Sequence, residues 1–272
     1  MIRWYGTGGS WINAGLPNYV AIDRKPENGC EVQNCACGAT GVMLQLRLVK
    51  TVEEANANLV EEDGELLHGS VAMKDLVSPC FFTHRIVCAD SYYSSVACAE
   101  ELFRHQTRLI GVVKTATKKY PMAYLNNIEL TERGDRRSVV AYDKDKKAKL
   151  LAFVWVDRER RYFIASTSSM QEGRPWVRKR LRQIVDDDVT EPKTVELVVP
   201  QPQVAELYYK CCGMIDQHNR DRQDTLCLEH KVLTKDWSMR VNLSIVAMIM
   251  VDCWRVWRLI TLSASGDDCI EN

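Results

Sequence analysis

The chain has 272 residues, 46% of them hydrophobic and 26% charged, which is ample apolar content for a folded core and excludes a disordered or fibrous class. Lys+Arg and Asp+Glu balance at 36 each, so any nucleic-acid contact must come from local basic patches rather than a global cationic field. Eleven cysteines with no CxxC pair, and a start, MIRWYGTGGS, without the charged-then-apolar layout of a signal peptide, point to a reduced intracellular compartment rather than secretion.

In chain order, Met1–Pro26 holds glycines at 6, 8, 9 and 15 and reads as an irregular segment; its GTGG precedes no strand-to-helix unit, so it is not read as a phosphate cradle. Cys30–Cys37, the glycines at 38 and 41, and Val42–Val49 predict an antiparallel hairpin. Met43, Gln45 and Arg47 alternate with Leu44, Leu46 and Leu48, giving the second strand one wet face. Leu66–Leu76 has helical spacing closed by Pro79. Ile86–Ala89 is a short apolar run that delivers Asp90 to a strand's C-terminal end. Ser91, Ser94 and Ser95 are candidate caps for a helix through Phe103, and Leu109–Val113 returns as a buried strand. Strand, helix and strand in that order favour an α/β sheet.

A different texture follows. Ser138–Tyr142, Leu150–Val156 and Tyr162–Ala165 are strand-like runs between charged turns and read as a β meander. Gly173–Pro192 carries Arg178, Lys179, Arg180 and Arg182 and has little to bury, so it reads as a mobile charged loop; a DNA-facing patch is the alternative. Val195–Val199 is a further strand. Val204, Leu207, Tyr208, Cys211 and Ile215 repeat at three- and four-residue intervals and predict one amphipathic helix from Val204 to Arg222. Trp237–Leu259 reads as a buried core helix. Its most apolar part, Val241–Val251, is too short to cross a bilayer and is closed by Arg240 and Asp252, so no membrane span is expected. The tail, Ser263–Asn272, is polar.

Two places carry possible chemistry. An Asp directly after a strand commonly caps the next helix, but it also presents a metal ligand at a sheet edge. Asp216, Asn219 and Arg220 stand at i, i+3 and i+4 and share a helix face. The cysteines, including Cys30, Cys35 and Cys37, lack tetrahedral spacing for zinc and read as buried thiols.

RKPENGCEVQNCACG, ADSYYSS, VVKTATKKYP and ELYYKCCGMIDQHNRDRQ, followed by the aromatic helix from Trp237, together resemble the transposase domain of piggyBac-derived elements, in the same order and over roughly residues 1 to 260. The resemblance implies an α/β fold: a ribonuclease-H-like mixed sheet with flanking helices, interrupted by a β-rich insertion. It divides the chain into a first part of the core (1–114), a β-rich insertion and charged loop (115–192), the C-terminal helical part of the core (193–262) and a tail (263–272). It also implies DNA cleavage and transfer by three aspartates holding two Mg²⁺ ions. Asp90 matches the second aspartate and Asp216 the third; Asn219 stands where some members place a further acidic residue. The first aspartate and its strand are expected upstream of Met1, which implies an incomplete, inactive fragment; Asp23 is the nearest substitute in this chain. DNA, specifically transposon ends, is the implied partner, contacted by Lys114, Lys118, Lys119, Arg178, Lys179 and Arg180. A homodimer and a nuclear location follow from the same resemblance. The alternatives are a non-catalytic, domesticated DNA-binding remnant and another ribonuclease-H-like metal nuclease.

Overall fold

The computed structural model describes residues 2–3, 20–21, 28–49, 68–142, 149–167, 169–186, 189–232, 234 and 236–265. The chain divides into two compact units, Cys80–Lys210 and a second formed by Met1–Pro79 with Cys211–Asn272. Asp23, Leu66 and Leu67 lie outside the described residues.

The unit Cys80–Lys210 is built on a five-stranded mixed sheet. Its strands are β6 (Ile86–Ala89), β7 (Arg108–Val112), β8 (Arg136–Tyr142), β9 (Lys149–Val156) and β10 (Arg160–Ala165), in the order β6-β7-β10-β9-β8. Strands β6 and β7 are parallel, pairing Ile86 with Arg108 and Ala89 with Gly111. Their crossover is helix α2 (Val96–Arg104), because a parallel pair cannot be joined by a tight turn. The meander extends the same sheet: β10 runs antiparallel to β7, with Ala165 opposite Ile110, and β9 and β8 follow. Six consecutive buried residues, Leu150–Trp155, make β9 a strand covered on both faces. Phe153 and Phe163 are cross-strand partners whose rings stack at 4.7 Å. Around them gather Ile110, Trp155, Val204, Ala205 and Tyr208, the last three from helix α4 (Gln203–Cys211). Tyr120, ahead of the short helix α3 (Met122–Asn127), donates its hydroxyl proton to the carbonyl oxygens of Phe153 and Phe163, at 3.1 and 2.9 Å.

The charged segment expected as a mobile loop is instead part of a long hairpin. Strand β11 (Trp176–Asp186) pairs antiparallel with β12 (Val189–Val199) through eleven residue pairs, Trp176 with Val199 and Asp186 with Val189. Alternating Val177, Lys179 and Leu181 with Arg178 and Arg180 is a period-two pattern, and charge density masked it.

In the other unit, three two- or three-residue strands, β1 (Ile2–Arg3), β2 (Val20–Ala21) and β3 (Asn28–Cys30), form a small sheet in the order β1-β3-β2, the first two of them within the segment 1–26 expected to be irregular. The predicted hairpin is present as β4 (Val32–Ala36) and β5 (Met43–Leu48). Its faces are assigned the unexpected way round. Leu44, Leu46 and Leu48 are exposed, whereas Arg47 forms an ion pair with Asp75 at 3.5 Å and Gln45 donates to the Asp75 carbonyl, both on helix α1 (His68–Val77). Helix α1 buries Ala72, Met73, Leu76 and Val77 and passes into a 3₁₀ turn, Ser78–Cys80, at the proline expected to end it.

The helix predicted from Val204 to Arg222 is broken. Helix α4 ends at Cys211, Gly213 begins α5 (Met214–Arg220), and the backbone then widens into a π-helical turn, Asp221–Leu226, before α6 (Leu228–Lys231). Helix α7 (Trp237–Ser265) is long, as expected, but it is not a core helix on all sides. It buries Arg240, Ser244, Ala247, Met248, Val251 and Arg255, while Ile249, Trp254, Trp257 and Ile260 are 47–64% exposed. Polar groups occupy part of the buried stripe and satisfy neighbouring elements, which leaves much of the apolar surface outward. Among the described residues no helix is long and apolar enough to cross a membrane.

Candidate active site

Strand β6 ends at Ala89, and Asp90 is the first residue past the sheet, exposed to solvent. It does not cap the following helix; Ser95 does, its hydroxyl accepting from the Cys98 N–H at 3.0 Å. Asp90 shapes the turn instead. Its Oδ1 accepts the Tyr92 N–H at 2.8 Å, an Asx turn. Ser94 returns both its N–H (3.1 Å) and its O–H (2.8 Å) to the Asp90 carbonyl. The second carboxylate oxygen, Oδ2, has no hydrogen-bond partner among the described residues.

Gly111 explains how Ser94 fits. On β7 it stands opposite Ala89, and a Cβ there would lie 1.9 Å from Ser94 Oγ. A bare backbone at Gly111 therefore leaves the space from which Ser94 holds the Asp90 turn. Because β6 and β7 are parallel, Lys114, two residues beyond β7, leaves the sheet at the same edge as Asp90. The Lys114 ammonium lies 6.0 Å from the Tyr92 ring centroid, a distant cation–π approach. One sheet edge thus gathers Asp90, Tyr92 and Lys114 where the C-terminal ends of parallel strands commonly bind ligands. Tyr92 and Gly111 were not singled out in the sequence, and Ser94 was read as a candidate helix cap rather than as the residue that holds the Asp90 turn; the small residue facing a strand-end turn was the available signal.

Lys118 and Lys119 are exposed on the turn before α3, with Lys119 at φ +61°. Arg178 is half-buried and ion-paired with Asp157, and Lys179 pairs with Glu196 at 3.4 Å. Arg180 lies on β11.

Asp216 belongs to the other unit. It sits in the first turn of α5, exposed, with no hydrogen bond or ion pair among the described residues. Burial chiefly, with the neighbouring Cys211 and the Asp216 charge, pushes the Cys212 thiol up from its ordinary pKa. Asn219, one turn on, is half-buried. His218, between them in sequence, is fully buried, and its Nε2 lies 3.1 Å from Asp252 Oδ1. Burial lowers the imidazole pKa, against the opposing pull of Asp252. The neutral ring then donates from Nε2, and Nδ1 has no partner among the described residues.

A family model described as Transposase IS4 matches residues 12–254. The chain belongs to this transposase family. Its structure is similar to a chain of a piggyBac transposase, solved as a synaptic complex with hairpin DNA, with a TM-score of 0.61 at 15% identity. That likeness shows a ribonuclease-H-like α/β fold for this transposase family member, as the resemblance implied. It covers 94% of this chain and 46% of the other, so the chain spans about half the length of the structure it matches. No curated protein matches.

Transposases of this DDE type use divalent metal ions held by carboxylates. The two matching aspartates suit such an ion chemically. Asp90 Oδ2 and both Asp216 oxygens are hard donors without a competing proton donor among the described residues, the ligand type that Mg²⁺ prefers. Among the described residues, no three His, Cys, Asp or Glu side chains are grouped to hold a metal.

Proposed function

We propose that this chain is the catalytic core of a piggyBac-like DNA transposase, with Asp90 and Asp216 as ligands of catalytic Mg²⁺ and transposon-end DNA as substrate. The observation that carries the reading is Asp90 itself: a strand-end carboxylate with one oxygen open, in a chain that matches a transposase family from residue 12 to 254. The piggyBac structure to which it is similar holds hairpin DNA. Within this reading, residues 1–114 and 193–262 are parts of the core, and 115–192 is the β-rich insertion. The products act in the nucleus, where the DNA is, and two copies work together on paired ends.

The roles of the side chains follow from their chemistry. Asp90 and Asp216 supply negative oxygen ligands. When bound, Mg²⁺ lowers the pKa of the attacking water or 3′-hydroxyl and neutralises the leaving oxygen. Ser94 and the Tyr92 N–H fix the Asp90 turn, so that the carboxylate presents Oδ2 outward. Lys114 offers a cation to a phosphate at the same edge, and Lys118 and Lys119 extend the basic surface along the backbone of the duplex. Lys179 and Arg180 add to it from β11. Arg178 reaches DNA only by exchanging its Asp157 partner.

The test is Mg²⁺-dependent nicking of duplex DNA carrying the terminal repeats, compared across the wild type, Asp90→Ala and Asp216→Ala. In a chain that carries the first aspartate expected upstream of Met1, cleavage is expected with Asp90 and Asp216 intact and lost in both variants. Cleavage that survives both changes sinks the assignment.

A further inference from the structure

The helix that carries Asp216 is too weak to hold itself in place. Helix α5 has seven residues and begins at Gly213 without a side-chain cap. An isolated helix of that length is unstable in water, because nucleation costs more than so few hydrogen bonds return. It also runs into a π-helical turn, where the hydrogen-bond ladder is poorer. Something outside α5 must fix where Asp216 points.

Two residues one turn apart on α7 make the connections. Asp252 Oδ1 accepts from the Met43 N–H at the start of β5 (3.0 Å) and lies 3.1 Å from Nε2 of His218 in α5. Arg255 donates from Nη2 to Asp221 Oδ2, at the start of the π-helical turn (2.6 Å), and from Nη1 to the Thr40 carbonyl in the β4–β5 turn (3.2 Å). Each side chain therefore ties the same hairpin end to the same helix. The groups are desolvated: His218 is fully buried, Arg255 is 8% exposed, and Asp252 is half-buried. Charge-assisted bonds of this kind are short and geometrically selective. The hairpin turn is shaped to receive Arg255. Gly41 has φ +70°, and a Cβ there would lie 1.7 Å from Arg255 Nη1, so glycine meets both the backbone and the packing requirement.

We infer that Asp252 and Arg255 are positioning residues for Asp216: they clamp α5 and the following π-helical turn against the β4–β5 turn, and thereby set the direction of the metal-ligating carboxylate. The inference rests on the reading of Asp216 as a ligand, but the clamp itself can be measured without it. The Arg255–Asp221 pair holds the π-helical turn at its first residue.

The test combines amide hydrogen exchange over residues 214–226 with the Mg²⁺ dependence of terminal-repeat DNA nicking, in the full chain. Asp252→Ala and Arg255→Met are each expected to speed exchange in 214–226 about tenfold and to raise the half-activating Mg²⁺ concentration about tenfold. DNA affinity and the rate at saturating Mg²⁺ should stay within about twofold. A purely structural loss would lower the rate at all Mg²⁺ concentrations and leave the half-activating concentration unmoved. Asp252→Asn keeps the accepting oxygen but not its charge and should fall between wild type and Asp252→Ala. Asp221→Ala removes only the Arg255 partner and serves if an α7 variant does not fold; it should loosen 214–226 in the same way. Wild-type exchange in folded Asp252→Ala, Arg255→Met or Asp221→Ala overturns the clamp. Faster exchange with an unmoved Mg²⁺ dependence overturns the positioning role. If Asp216→Ala also leaves the Mg²⁺ dependence unmoved, the assignment of Asp216 falls with it.

Discussion

Gly111→Ala is a one-methyl change on β7 that should disturb the turn carrying Asp90. The new Cβ would sit 1.9 Å from Ser94 Oγ, 2.8 Å from Ser94 Cβ and 3.1 Å from the Ala89 carbonyl oxygen. Carbon atoms at rest prefer about 3.5–4.0 Å, so Ser94 must leave. Ser94 is buried, and its hydroxyl bonds the Asp90 carbonyl at 2.8 Å. Overpacking typically costs about 1–3 kcal/mol, and the lost hydrogen bond about 1 kcal/mol more. The expected destabilisation is therefore roughly 2–4 kcal/mol in urea unfolding of the full chain. Ser94→Gly removes both of the nearest atoms, so Gly111→Ala should cost less in its presence, with a coupling of about 1–2 kcal/mol between the two sites. Gly111→Ala within about 0.5 kcal/mol of wild type, or purely additive effects, would refute the reasoning that this glycine makes room for the Asp90 turn.

Tyr120→Phe should cost about 1–3 kcal/mol by chemical denaturation, because two buried strand carbonyls lose their hydroxyl donor. Burial raises the Tyr120 pKa, so the folded state binds its proton more tightly than the unfolded state; that stability is intact below about pH 10 and declines as pH rises further, a decline that Tyr120→Phe should remove. Arg222 and Glu229 form a buried pair, and Arg222→Met should cost about 3–5 kcal/mol by leaving the carboxylate unpaired, with Glu229→Gln restoring part of it. His218 has a lowered pKa, so its contribution is complete above about pH 6.5 and is lost as pH falls toward the lowered value; thermal unfolding followed from pH 7.5 to 5 should show the decline, and His218→Gln should flatten it. If Lys114, Lys118 and Lys119 each contact a phosphate, replacing one with Ala should reduce the slope of log affinity against log salt by about 1 for terminal-repeat DNA.

The sequence made the β6–α2–β7 unit legible because each piece has a local signal: an apolar run, a serine cap and a second apolar run. The meander strands were equally plain, but their membership of the same sheet as β6 and β7 was not, since strand pairing depends on partners distant in sequence. The β11–β12 hairpin was hidden by charge. The break at Gly213 was hidden by apolar spacing that continues across it, from Cys211 to Ile215, even though the backbone does not. For α7, hydrophobic residues on every side predict burial on every side, but Arg240 and Arg255 occupy buried positions because neighbouring carbonyls and carboxylates need donors. The proposed ligands, Asp90 and Asp216, were picked out through resemblance and spacing. Gly111, Asp252 and Arg255 act through contacts distant in sequence that no local pattern marks.

The most direct test of the account is Mn²⁺ binding, followed by electron paramagnetic resonance in the full chain with terminal-repeat DNA present, for the wild type, Asp90→Asn and Asp216→Asn. If these two carboxylates hold the catalytic ion, wild type binds Mn²⁺ and each substitution weakens binding at least about tenfold, or about 1.4 kcal/mol. Binding in both variants equal to that of the wild type would contradict the account.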